Sequence, residues 1–191
     1  MREYAPLTLT PLPAGARIAT PNAPGRVNLD DPAVSVMTDL REVVAATTTP
    51  EDAIDTAHAA MIRRGVRLLF ALDAQGAVVG IITATDLLGA KPMQFMQSHG
   101  VSHAEVQVRD IMTPAASLDA LALVEVAQMR VGHVVATLKA ARRRHLTVAE
   151  EGGARIRGIF SASQVARQLG MELQTFEVAQ TFADIETALA R

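Results

Sequence analysis

Thr83 with Asp86, and in parallel Ser161 with Gln164, are the residues of this chain whose types and spacing could do chemistry. In both cases a glycine and two apolar residues lead to a hydroxyl, and three positions later stands an acid or an amide: GIITATD from Gly80 to Asp86, GIFSASQ from Gly158 to Gln164. Where a strand gives way to a helix, free N–H groups and the positive end of the dipole favour an anion such as phosphate. A carboxylate one turn in can accept two hydrogen bonds from the cis diol of a ribose, and the Thr83 hydroxyl can donate to a phosphate oxygen. Gly80 would leave room for a ligand to approach the backbone. Helix capping is the competing reading: a hydroxyl bonding the N3 amide while the N3 side chain reaches back contributes about 1 kcal/mol with no ligand at all. Ser161-x-x-Gln164 fits that formula better than Thr83-x-x-Asp86. An amide lacks the charge-assisted strength of a carboxylate, so the second position is expected to bind more weakly or not at all.

The two heptapeptides lie 78 residues apart, and self-similarity at a fixed spacing marks a duplicated structural unit. At the same offset Arg64 aligns with Arg142, Leu68 with Leu146, Ala71 with Ala149 and Ile81 with Ile159. Further upstream Val36-Met37-Thr38 matches Ile111-Met112-Thr113 at an offset of 75, which implies a three-residue insertion in the second copy before its first helix.

The elements that must position these residues follow from local pattern. In the first copy Val43-Val44 reads as a short strand. Thr49 is a candidate N-cap, with Pro50 at the first helical position and acids behind it. Ile54, Ala57, Met61 and Ile62 form the apolar face of the helix, which Gly65 ends. A buried strand over 68–72, the turn Asp73-Ala74-Gln75-Gly76 and a strand over 77–82 make a hairpin, and a helix starts from Thr83. The second copy repeats this, with a strand over 121–124, a helix stripe of Val131, Val134, Val135 and Leu138, and a hairpin of 146–149 with 155–160. The unit is β-α-β-β-α, an α/β (α+β) arrangement with helices on one face of a small sheet. Residues 92–97 read as a short helix, Ser98-His99-Gly100 as linker, and 181–189 as an amphipathic helix. The expected organisation is an extended arm over 1–33, two repeats over 34–98 and 99–170, and a helical tail over 171–191. The arm holds six of the nine prolines, whose fixed φ favours extended backbone.

Composition bounds the rest. With 191 residues, 49% hydrophobic and 20% charged, the chain can bury a core. It has no run of about 18 apolar residues and no signal-peptide pattern at its start, so a cytoplasmic protein without membrane contact is expected. Zero cysteines exclude disulfides, thiolate zinc sites and cysteine nucleophiles. A net charge of −2 and 3% aromatic residues argue against a nucleic-acid partner. The five histidines form no H-E-x-x-H motif, so no metal site is expected. No nucleophile elbow, phosphate loop or zinc-protease motif is present, so no catalytic residue is assigned and an enzyme is not expected. The cluster Arg142-Arg143-Arg144-His145 occupies the same helix-to-strand junction as residues 64–67. Cations suit a helix C-terminus, and the sharper reading is a phosphate clamp in which Arg67 and Arg144 face a cleft.

The duplicated unit, the hydrophobic-Met-Thr opening of each copy and the glycine-hydrophobic-x-Thr/Ser-x-x-Asp signature, in that order and twice over residues 34–170, resemble a tandem pair of CBS (cystathionine β-synthase) domains. The resemblance implies a stand-alone CBS domain-containing protein whose repeats form one pseudo-two-fold module, usually a homodimer. Its inter-repeat cleft would hold AMP, ADP, ATP or S-adenosylmethionine, with no cofactor required. It further implies that Gly80, Thr83, Thr85 and Asp86 hold ribose and phosphate, with Ser161 and Ser163 in the corresponding second position. The adenine slot would be lined by Thr47, Thr49 and Pro50 and by Val66 or Arg67, with Arg144 at the cleft mouth. The implied role is a non-enzymatic sensor acting on an effector protein. The alternative is a scaffold of the same fold that has lost its ligand and only dimerises or docks.

Overall fold

Strands β3 (Leu68–Leu72) and β4 (Val78–Thr83) pair as an antiparallel hairpin because the first is almost wholly buried and the turn between them closes itself. Asp73 Oδ1 accepts from the Gln75 and Ala77 amides at 3.0 and 2.8 Å, and Gly76 takes φ 80°, which glycine permits without strain. The computed structural model describes residues 27–170 together with Pro11 and 14–16. Most of the expected N-terminal arm, and the helix expected over 181–189, lie outside the described residues.

Ahead of the hairpin come β2 (Thr47–Thr48) and α1 (Ile54–Arg64), and behind it α2 (Ala84–Leu88) and α3 (Lys91–His99). The second copy runs β6 (Ala120–Ala122), α5 (Leu123–Val126), α6 (Val131–Ala141), β7 (His145–Glu150), β8 (Arg155–Ser161) and α7 (Ala162–Gln168). The β-α-β-β-α unit is therefore present twice, with one extra helical turn, α5, in the second. β2 pairs in parallel with β3, and β6 with β7, as each crossover through a helix requires.

Several local expectations move. The first strand is Thr47–Thr48, not Val43-Val44: Thr47 stands opposite Phe70 and Thr48 is buried, whereas Val44 is 84% exposed. Thr49 is not a helix cap. Asp52 Oδ2 instead accepts from the Thr48 hydroxyl at 2.6 Å and the Thr49 amide at 2.8 Å, which tightens a turn and delays the helix to Ile54. Those two bonds, the hydroxyl's foremost, hold the Asp52 carboxyl below its ordinary range. Ile62 leaves the apolar face and is exposed, while Ile54, Ala57 and Met61 are buried. Ser98 and His99 belong to α3, with the His99 ring stacked on Phe95.

Two further strands have no counterpart among the expected elements. β1 (Thr38–Asp39) pairs antiparallel with β8, giving the sheet β1-β8-β7-β6. β5 (Thr113–Pro114), which follows α4 (Val108–Ile111), pairs with β4, giving β2-β3-β4-β5. Each copy thus sends its hydrophobic-Met-Thr opening into the other copy's sheet. The apolar residues ahead of those strands follow them. Ala33 and Val36 lie in the core of Leu138, Val148 and Phe160, while Val106, Val108 and Ile111 lie in the core of Met61, Leu69 and Ile82. The thioether of the exchanged methionine fills the space above the host glycine. A Cβ on Gly80 would come within 2.7 Å of Met112 Sδ, and one on Gly158 within 2.5 Å of Met37 Sδ. A methionine and a strand thus account for the glycine at position 80.

The registers also correct the repeat offset. Leu68 stands opposite Thr83 and His145 opposite Ser161, so β3 and β7 are 77 residues apart, and only beyond the hairpin turn, where Gly80 matches Gly158, does the offset reach 78. At β2 and β6, Thr47 matches Ala120, an offset of 73, so the second copy gains four residues there and folds them as α5. In this register Arg142 is the counterpart of Gly65, and both take left-handed backbone after their helices, at φ 50° and 63°. Left-handed backbone costs an L-residue roughly 1–2 kcal/mol, and a glycine loses about 0.4–1 kcal/mol more in chain entropy on folding. Arg142→Gly is expected to raise stability by about 0.5–1 kcal/mol, read as a higher urea midpoint. A lower midpoint would show that the arginine side chain contributes more than its backbone costs.

Candidate functional site

The Thr83-x-x-Asp86 signature forms a complete capping box. Asp86 Oδ2 accepts from the Thr83 amide at 2.8 Å and from the Thr83 hydroxyl at 2.7 Å, and Thr83 Oγ1 accepts from the Asp86 amide at 3.3 Å. The other carboxylate oxygen, Oδ1, meets Lys91 Nζ at 2.6 Å. The α2 helix has only five residues, and the amide of its first residue, Ala84, goes to the Arg67 carbonyl at 2.9 Å. Its terminus is therefore a poorer anion seat than the sequence suggests. The second signature behaves in the opposite way. Ser161 makes no cap hydrogen bond, its hydroxyl standing 3.1 Å from that of Ser163, and Gln164 Oε1 accepts from the Thr38 hydroxyl at 3.0 Å. The capping box expected there is absent because β1, the exchanged strand, claims the glutamine.

Beside Thr83, Thr85 and Asp86 opens a cavity of about 330 Å³ whose far wall belongs to the second copy: Leu118, Asp119, Thr147 and the run Arg142, Arg143, Arg144, His145. Arg143 is paired with Asp119 at 2.9 Å, and Thr147 Oγ1 donates to the Asp119 carbonyl at 2.9 Å. A smaller cavity of about 190 Å³ holds the second signature, Ser161, Ser163 and Gln164, against Val66, Arg67 and the Val43 to Ala46 segment of the first copy. A third, of about 640 Å³, lies between the hairpins and includes Thr47, Phe70, Leu118 and Thr147.

Thus Thr83, Thr85, Asp86 and Arg144 are brought together. Val66 and Arg67 are placed with Ser161 and Ser163 instead of with Asp86, Thr47 stands between, and Thr49 and Pro50 face elsewhere, the Pro50 carbonyl accepting from the Arg109 amide at 3.0 Å. The reason is topological. The segment before each first helix lies on its own hairpin strand, and the two hairpins face one another, so each cavity joins one copy's signature to the other copy's pre-helix segment. Thr113, Leu118, Asp119 and Thr147 were not legible as site residues for the same reason. His145 lines both smaller cavities. Its imidazole is pushed down to about 4, first by burial and then by the Arg67 and Arg144 guanidiniums, against a smaller opposite pull from Asp86.

The model of the CBS domain family matches residues 33–92. Over that stretch the chain is similar to a CBS domain. Solved structures share its fold. An uncharacterized conserved protein from Pyrococcus horikoshii is 22% identical with a TM-score of 0.57, over 78% of this chain and 100% of that one. CBSX2 from Arabidopsis thaliana, solved in complex with AMP, is 21% identical with a TM-score of 0.52, over 72% of this chain and 94% of that one. A CBS-domain containing protein from Agrobacterium tumefaciens is 22% identical with a TM-score of 0.52, over 68% and 88% respectively. A search of curated proteins returns no match. Among the described residues no helix is long and apolar enough to cross a membrane, and no group of three or more His, Cys, Asp or Glu could hold a metal ion.

Proposed function

We propose that this CBS pair is a non-catalytic regulatory module that takes an adenosine nucleotide in the cleft beside Asp86. The observation that carries the reading is the convergence on one cavity of Thr83, Thr85 and Asp86 from one copy with Arg142, Arg143 and Arg144 from the other. Hydroxyls and a carboxylate suit a ribose, and guanidiniums suit phosphate at the opposite wall. The AMP bound by CBSX2, a protein of the same fold, supports the ligand class. Three arginines against two acids favour AMP, ADP or ATP over S-adenosylmethionine, whose sulfonium is cationic. A bound ligand would act by preferring one of two arrangements of the module and so biasing an effector protein.

Thermal melting and calorimetry with each nucleotide test this. A ligand at 100 times its dissociation constant stabilises the fold by about 2.7 kcal/mol. Asp86→Ala should abolish the effect of AMP and Gln164→Ala should leave it nearly intact. A melting curve unchanged by millimolar nucleotide would leave the ligand-free scaffold, which one observation favours: the Asp86 carboxylate already has Thr83 and Lys91 as partners.

A further inference from the structure

The helix α3 begins at Lys91, where a cation faces the positive end of the dipole. Helix stability does not account for it there. Its ammonium instead reaches Asp86 Oδ1 at 2.6 Å and donates to the Ile111 carbonyl at 3.0 Å. The Asp86 side chain is 12% exposed, whereas that of Lys91 is 45% exposed. A carboxylate offers about four acceptor positions. Oδ2 is occupied by the Thr83 amide and hydroxyl, so Oδ1 is the oxygen left for a ligand, and Lys91 sits on it.

We propose that Lys91 is the specificity-determining residue of this cleft, an internal occupant of the Asp86 oxygen that a ribose diol must displace. The proposal rests on the nucleotide reading above. With 45% of its side chain exposed, Lys91 has room to swing away, and the diol then replaces its ammonium on Oδ1. The lysine therefore lowers affinity for ligands that carry the diol and leaves diol-free analogues unaffected. It also links cleft occupancy to α4, because the displaced ammonium leaves the Ile111 carbonyl as well.

Calorimetry on the full chain would compare AMP with its 2′,3′-dideoxy analogue. Lys91→Met keeps the aliphatic stem and removes the charge; Lys91→Gln serves if that variant folds poorly; Lys91→Arg keeps the cation. The methionine variant is expected to bind AMP about fivefold more tightly, the size of a partly exposed ion pair, with the dideoxy affinity unchanged and the arginine variant close to wild type. Equal or weaker AMP binding by both neutral variants, or the same gain for both ligands, would overturn the role of Lys91 while leaving the nucleotide site standing. Absence of AMP binding by wild type and variants alike would overturn the nucleotide reading and this proposal with it.

Discussion

Gly80→Ala is expected to destabilise the fold by about 2–3 kcal/mol, and Gly158→Ala by clearly less, although the two glycines are equivalent in the repeat. The added Cβ at Gly80 would stand 2.7 Å from Met112 Sδ and also 2.7 Å from the Thr113 carbonyl oxygen. The thioether can swing aside. The carbonyl cannot, because Thr113 and Pro114 are held in register against Ile81 and Gly80, so the exchanged strand must lift from the sheet. At Gly158 the close atoms, at 2.5, 2.7 and 3.1 Å, all belong to the Met37 side chain. Alanine's smaller entropy in the unfolded chain offsets about 0.4–1 kcal/mol in both cases. Urea unfolding of single and double variants checks this. Met37→Ala should relieve most of the Gly158→Ala penalty, and Met112→Ala should relieve little of the Gly80→Ala penalty. Full rescue at Gly80 by Met112→Ala would show that the strand backbone is not the obstacle.

The second large effect is a loss of stability on mild acidification. His145 is held neutral in the fold down to about pH 4, whereas in the unfolded chain it takes a proton near its ordinary value of 6.5. The unfolded state therefore binds more protons between these values, and stability falls as pH drops from 6.5 to 4 and is unaffected by this residue outside that window. A single proton over that interval corresponds to at most about 3.4 kcal/mol. Asp52, whose carboxyl is held low, adds its own loss only as pH falls below the carboxylate range, so pH 6.5 to 5 isolates the histidine. Urea midpoints for wild type and His145→Gln should converge as pH falls through this interval, and parallel curves would refute the assignment.

The hairpins and their signatures were legible because their information is local: a run of buried residues, an Asp-x-x-Gly turn, a glycine ahead of a hydroxyl. The exchanged strands were not. Two residues carry no alternation, and Thr38 finds Gln164 across 126 positions of chain. That contact also inverted the capping forecast, since a glutamine that looked made for Ser161 bonds a threonine from the other copy. The cleft suffered likewise. Asp86 and Arg144 were each singled out, but the partition of Thr47, Val66 and Arg67 away from Asp86 follows from how the two hairpins face each other, which spacing within one repeat does not encode. The misplaced offset had a simpler cause. The one-residue change sits in the hairpin turn, and Leu146 beside His145 made the wrong alignment look apolar throughout.

During synthesis the two sheets cannot mature together. The sheet of β2, β3, β4 and β5 has all its strands once Pro114 has left the ribosome, but β1, made first, has no partner until β8 is complete at Ser161. At about 5–20 residues per second that interval is roughly 2–10 s. Throughout it Ala33, Val36 and Met37 lack the core and the glycine that will later receive them. The earliest-made of the described strands is thus the last to be paired, and the module becomes one cooperative body only when β8 receives it.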